Sequence, residues 1–214
     1  MSESKTNKAA LKTARELEKL KIDTPEKYID QLHKVILGTR VTFAYDHGDI
    51  DQGIDYAIGL LKRNVLVGKG RLMIIGNGGS AAMAMHMLMD YANVAGVITV
   101  DFMNPALLTC MANDYGYENV FAKPIEIFAN RGDVLFAISS SGQSKNILKA
   151  CDAAMDAGCA VITFSGMRLD NPLRQKGSCN FYVPSTHYGF VELAHETLLN
   201  AILDLLVKGE DNVD

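Results

Sequence analysis

No apolar run in the 214 residues approaches the roughly 18–20 needed to cross a bilayer. The opening stretch, MSESKTNKAALKTARELEKLKID, is polar and charged and has no apolar centre of the kind a signal peptide carries. There is no basic excess either. Twenty-one Lys and Arg stand against twenty-five Asp and Glu, a net charge of −4, and the lysines are scattered among acids, so the footprint of a nucleic-acid binder is missing. The four cysteines (Cys110, Cys151, Cys159 and Cys179) show no CxxC spacing and sit beside small or apolar residues. They read as reduced, mostly buried thiols. Internal repeats and low-complexity linkers are likewise absent. These absences exclude a membrane span, a disulfide scaffold and a DNA-binding arm, and leave the expectation of a cytoplasmic globular protein.

What is present is an α/β pattern. Thr24-Pro25-Glu26 is a helix start, with Thr at the N-cap and Pro at the first helical position. Ile29, Leu32, Val35, Ile36 and Val41 then follow at helical spacing. Asp49 to Leu66 reads as a second helix, with Ile54, Ala57, Ile58 and Leu61 along one side. Residues 1–24 read as a fraying or charged helical segment. Five short apolar runs come next: 71–76, 97–102, 134–139, 160–165 and 181–185, separated by helical stretches such as 145–158. Near-continuous Val/Ile/Leu runs alternating with helices predict a parallel sheet covered on both faces. The expected organisation is a helical oligomerisation segment over residues 1–66, its apolar stripe awaiting a partner, followed by the α/β unit over 67–210.

In such a sheet, ligands bind beyond the carboxyl ends of the strands. Two of those ends are unusual. The first strand runs into Gly76-Asn77-Gly78-Gly79-Ser80 and the third into Ser139-Ser140-Ser141-Gly142-Gln143-Ser144, each followed by a helix. Glycine lets backbone N–H groups come close to a ligand, a helix N-terminus offers free donors and a positive dipole end, and serine adds hydroxyls. Either loop alone has a plain alternative, a steric turn or a helix cap. Both on one rim form a cradle for a phosphate. The P-loop lysine is missing, as is the dinucleotide fingerprint.

The strings GNGGSAA (76–82), ANDYGYENVFAK (112–123), GDVLFAISSSGQSKNILKA (132–150) and AGCAVITFSG (157–166), with the helix running on to His86, resemble the bacterial phosphoheptose isomerases of the SIS-domain superfamily. The resemblance covers about residues 25–208. It implies a flavodoxin-like five-stranded parallel sheet flanked by helices, a homotetramer with active sites completed across subunits, and interconversion of sedoheptulose 7-phosphate and D-glycero-D-manno-heptose 7-phosphate through an enediol, with no organic cofactor. By resemblance, Ser80, Ser139, Ser140, Ser141 and Ser144 bind the sugar phosphate, and Asn77, Gly78, Gly79, Asn104, Asn113 and Asp114 complete the substrate contacts.

Family members carry His and Glu four residues apart on the helix after the glycine loop, and Gln and His eight apart on the last helix; some hold zinc among the four. Here the first pair is His86 and Asp90, one turn apart on one helical face. The family Gln falls at Glu192 and the catalytic His at Asn200, which cannot act as a base near pH 7. Asn104 stands where an Asp is usual, and the stretch from Asp90 to Asn104 is about five residues shorter and lacks the usual basic residue. The resemblance therefore implies a retuned site in which Asp90 serves as general base beside His86 and Glu192, with zinc a candidate held by His86, Asp90 and Glu192 and by His195 or His187 as a fourth ligand. The bland alternatives stand beside it: His86 as a structural histidine, Asp90 as a surface carboxylate, and His195 facing a subunit neighbour. A non-catalytic SIS protein that binds a sugar phosphate, or a protein partner such as a replication initiator, is the competing expectation.

Overall fold

A computed structural model describes residue 15 and residues 17–43 and 46–208. Most of the segment expected to fray or form a charged helix, residues 1–14, lies outside the described residues. Helix α1 (Pro25–Leu37) starts as its sequence dictates: Thr24 is extended, its Oγ1 accepts the Lys27 N–H at 3.2 Å, and Pro25 takes a position where no N–H is needed. Gly38 ends it. The helical stripe does not run on to Val41. Instead, Arg40–Phe43 forms strand β1 and His47–Gly48 strand β2. The alternation Arg-Val-Thr-Phe has the two-residue period and the branched and aromatic side chains of a strand, and it turns Val41 into the core. Helix α2 (Ile50–Leu60) opens with a capping box in which Asp49 and Gln52 exchange side-chain bonds at 2.9 and 3.0 Å, and a π-helical turn, Leu61–Val67, continues it.

The five apolar runs all contain strands, two of them shorter than the run: β3 (Leu72–Ile75), β4 (Thr99–Val100), β5 (Val134–Ser139), β6 (Ala160–Gly166) and β7 (Cys179–Val183). They lie parallel in the order β4-β3-β5-β6-β7, the flavodoxin-like arrangement. Among the described residues, however, the sheet has seven strands. β1 pairs antiparallel with β7, setting Val41 opposite Phe181, and β2 extends that edge. The expected five strands are the parallel part of a mixed sheet. Helices α3 (Gly79–Ala95), α4 (Pro105–Tyr115), α5 (Ala122–Phe128), α6 (Lys145–Asp156) and α7 (Tyr188–Lys208) cover its faces.

Burial explains the near-continuous apolar runs, because every residue of β3 and β5 is buried. Helix α2 buries Ile54, Ala57 and Leu60 within the chain, packing on α7 and β7, so its apolar stripe finds a partner without a second subunit. Helix α1 behaves differently: of its residues only Val35 is buried, and Ile29 is 65% exposed. No helix among the described residues is long and apolar enough to cross a membrane.

Candidate active site

Strands β3 and β5 are neighbours in the sheet, with Ile75 opposite Ala137, so the loops at their carboxyl ends stand side by side. The glycine loop turns through Gly78 at φ +57°, a backbone that favours glycine, and delivers the chain into α3 without a side-chain cap. The serine loop turns through Gly142 at φ +64° and enters α6, where Ser144 also makes no capping bond. Neither helix N-terminus is closed by a side-chain bond from its N-cap residue, although in α6 the Ile147 N–H is taken by Asn146 Oδ1 at 3.1 Å. The loops are tied together: Asn77 and Asn146 exchange amide bonds at 2.9 and 2.8 Å, and the Tyr117 hydroxyl donates to the Asn77 carbonyl oxygen at 3.1 Å.

Between them lies a cavity of about 330 Å³ lined by Asn77, Gly78, Gly79, Ser80, Ile138, Ser139, Ser140, Ser141, Ser144, Tyr188 and Glu192. Nine of these eleven are residues the sequence singled out; Ile138 and Tyr188 are new. The Ser139 hydroxyl approaches that of Ser144 at 3.3 Å and also accepts the Gly142 N–H at 3.2 Å, while the Ser141 hydroxyl accepts the Gln143 N–H at 3.3 Å. The Ser140 hydroxyl is buried and has no partner among the described residues, which leaves it available to a ligand. Glu192 hangs over the start of α3 from α7, so close that a Cβ on Gly79 would meet its carboxylate oxygen at 2.9 Å.

A second cavity of about 380 Å³ continues from the first through the shared residues Gly79 and Glu192, and adds His86, Leu193 and Glu196. His86 sits between two carboxylates. Its Nδ1 is hydrogen-bonded to Glu196 Oε1 at 3.0 Å, across from α3 to α7, and its Nε2 is at ion-pair distance, 3.1 Å, from Asp90 on its own helix. Asp90 lines neither cavity; it stands behind His86, one turn along α3. Glu196 was not singled out from the sequence. It belongs to the segment Glu192-Leu-Ala-His195-Glu196, and its four-residue spacing from Glu192 places both acids on one helical face, which was the available signal.

Several sequence expectations land elsewhere. His195 is fully buried, donates from Nε2 to the Ser165 carbonyl oxygen at 3.1 Å and packs edge-on against Phe164. Burial pushes its imidazole down to about 4, with the Ser165 carbonyl pulling the other way. His187 takes the Phe190 N–H on Nδ1 at 3.3 Å and so caps the start of α7. Asn104 spends its side chain capping α4 through the N–H groups of Ala106 and Leu107, at 2.9 and 3.4 Å. Asn113 donates to Asp114 at 2.8 Å on the exposed last turn of α4. None of these last three lines either cavity. Asn200 donates to the Glu196 backbone carbonyl at 2.9 Å, one turn below the cavity.

The proposed metal set does not fit this arrangement. Among the described residues no three His, Cys, Asp or Glu side chains are placed to hold an ion. Both His86 nitrogens face carboxylates, and His195 points into the core.

Residues 49–166 match the SIS domain family. The phosphoheptose isomerase of Sodalis glossinidius is 35% identical over 188 residues, spanning 85% of this chain and 94% of that relative, and the one from Serratia proteamaculans is 34% identical over 169 residues, spanning 77% and 85%. Among solved structures, phosphoheptose isomerase from Neisseria gonorrhoeae superposes with a TM-score of 0.66 at 29% identity over 72% of this chain and 86% of that one. The phosphoheptose isomerase structure from Francisella tularensis gives 0.70 at 22% identity over 86% and 96%, a likeness of fold.

Proposed function

The chain belongs to the SIS-domain family, among the phosphoheptose isomerases, and from that membership we propose that it isomerises a phosphorylated sugar, sedoheptulose 7-phosphate to D-glycero-D-manno-heptose 7-phosphate, through an enediol. The observation that carries this reading is the cavity in which the glycine loop, the serine loop and Glu192 converge. The phosphate lies against the serine loop, where backbone N–H groups, hydroxyls and two uncapped helix ends supply donors. The carbonyl end of the sugar extends past Glu192 into the second cavity, toward His86 and Glu196.

The reaction moves one proton from C1 to C2 and a second from O1 to O2. Glu192, which touches both cavities, takes the C1 proton of the ketose and returns it to C2, while His86 faces the oxygens whose charge develops in the enediol. Asp90 is a poorer candidate for this base because it lines neither cavity. One observation supports a non-catalytic reading: Asn200 puts a side chain without acid–base capacity at the position of the family's histidine, and spends it on a helix carbonyl. In that reading the cradle binds a sugar phosphate, or serves a protein partner, without turnover.

A panel of C5–C7 sugar phosphates, followed both by binding and by product formation, separates the two. The isomerase reading expects product from a heptose phosphate. It also expects Ser141→Ala to weaken phosphosugar binding by about 1–2 kcal/mol, the scale of a hydrogen bond to a charged group. Tight binding without product from any sugar moves the non-catalytic reading forward.

A further inference from the structure

Glu196 has no assigned role, yet it is a cavity-wall carboxylate hydrogen-bonded to the one histidine that shares that wall. The contact joins residues 110 apart in the chain and bridges α3 to α7, the two helices that carry His86 and Glu192. His86 itself is weakly constrained otherwise. Its side chain is more than half exposed, and its other polar neighbour, the partly exposed Asp90 at 3.1 Å from Nε2, is on the same helix and cannot fix the ring relative to α7. A ring held from one nitrogen by a carboxylate has its tautomer and its rotation about χ2 defined, which is how histidines with chemical roles are usually oriented. The backbone under Glu196 is also secured, since Asn200 donates to its carbonyl.

We propose that Glu196 is a positioning residue for His86. It accepts the Nδ1–H and fixes the ring against the wall of the sugar end of the cavity, so that the imidazole keeps a constant orientation relative to Glu192, with Nε2 directed at Asp90. Asp90 backs the ring from outside the cavity and is secondary to it. The proposal rests on the isomerase reading for its catalytic consequence, and on the bond between His86 and Glu196 for its structural part.

The test compares Glu196→Ala with Glu196→Gln, because the glutamine retains an oxygen at the Oε1 position that can accept the same N–H. Steady-state isomerisation should show kcat falling about 10–100-fold in the alanine variant, the scale seen when the orienting partner of a ring nitrogen is removed. KM should stay within about threefold, and the glutamine variant should recover most of the loss. In parallel, ¹⁵N-labelled histidine spectra of the intact protein should show the His86 ring signals shifted and averaged in the alanine variant and close to the parent in the glutamine variant. Unchanged kcat in Glu196→Ala overturns the proposal, as does a loss confined to KM or His86 signals indifferent to both substitutions. If the parent turns over no sugar, the isomerase reading falls by itself, and the ring signals still decide whether Glu196 holds His86.

Discussion

At the scale of single residues the chain separates its histidines by environment. His86 lies on a cavity wall among carboxylates, whereas His195, on α7, is enclosed against the sheet with one nitrogen bonded and the other, Nδ1, without a partner among the described residues. A buried imidazole is tolerated neutral, not charged. Its folded-state value of about 4 lies below the ordinary 6.5, so above pH 6.5 folded and unfolded chains bind the same number of protons there. As pH falls from 6.5 toward 4 only the unfolded chain takes up the proton, and stability is lost across that window. Two to three pH units at about 1.4 kcal/mol each set the scale at roughly 3 kcal/mol. Urea unfolding at pH 7 and at pH 4.5 should show this loss. His195→Gln, which keeps a donor for the Ser165 carbonyl but does not titrate, should flatten the part due to this site. An equal pH dependence in both proteins would show that other groups carry it.

At the scale of elements, the serine loop is held from below by the turn that follows β6. Asn171, buried, donates to the backbone carbonyls of Gly166 and Arg168 at 3.1 and 2.8 Å and lies directly under Gly142, while the Leu173 N–H donates to the Gly142 carbonyl oxygen at 3.1 Å. A Cβ at Gly142 would collide with the Asn171 amide oxygen, and the backbone there is left-handed. Gly142→Ala should therefore weaken phosphosugar binding by at least tenfold while the far side of the sheet is untouched, as a titration of sugar phosphate alongside a thermal melt would show; unchanged affinity would mean that the loop does not need this turn. The glycine and the serines were legible in the sequence because they are local signals at strand ends. Asn171 was not, because its role arises only when β6 is laid beside β5. The same holds for β1: Val41 fits a helical stripe and a strand alike, and only the pairing with Phe181 chooses between them. Asn104 is a different case: the resemblance suggested a ligand contact, but its side chain makes a local helix cap just before Pro105.

At the scale of the molecule, the cavity is walled by residues of one chain, and exposed apolar side chains stand near it. Met85 and Met89 stand one turn apart on α3 at either side of His86, 48% and 67% exposed, and Leu193 on the facing wall is exposed as well. On α1, Ile29 and Leu37 are exposed although the helix is capped and well formed. Exposed apolar side chains of this size are costly to leave in water, and a second copy of the chain is the partner proposed here, in the homotetramer that the resemblance to phosphoheptose isomerases implies. Helix α2 has its stripe satisfied within the protomer, so the exposed apolar surface lies on α1 and α3. Light scattering coupled to size-exclusion chromatography at micromolar concentration should give a mass near four times the 23.3 kDa chain. Met89→Lys should lower that mass and reduce sugar-phosphate turnover together, since the substitution places a charge in the contact and exposes His86 to bulk water. A monodisperse monomer in the parent protein would show that these side chains are simply exposed, and that the site is complete within one chain.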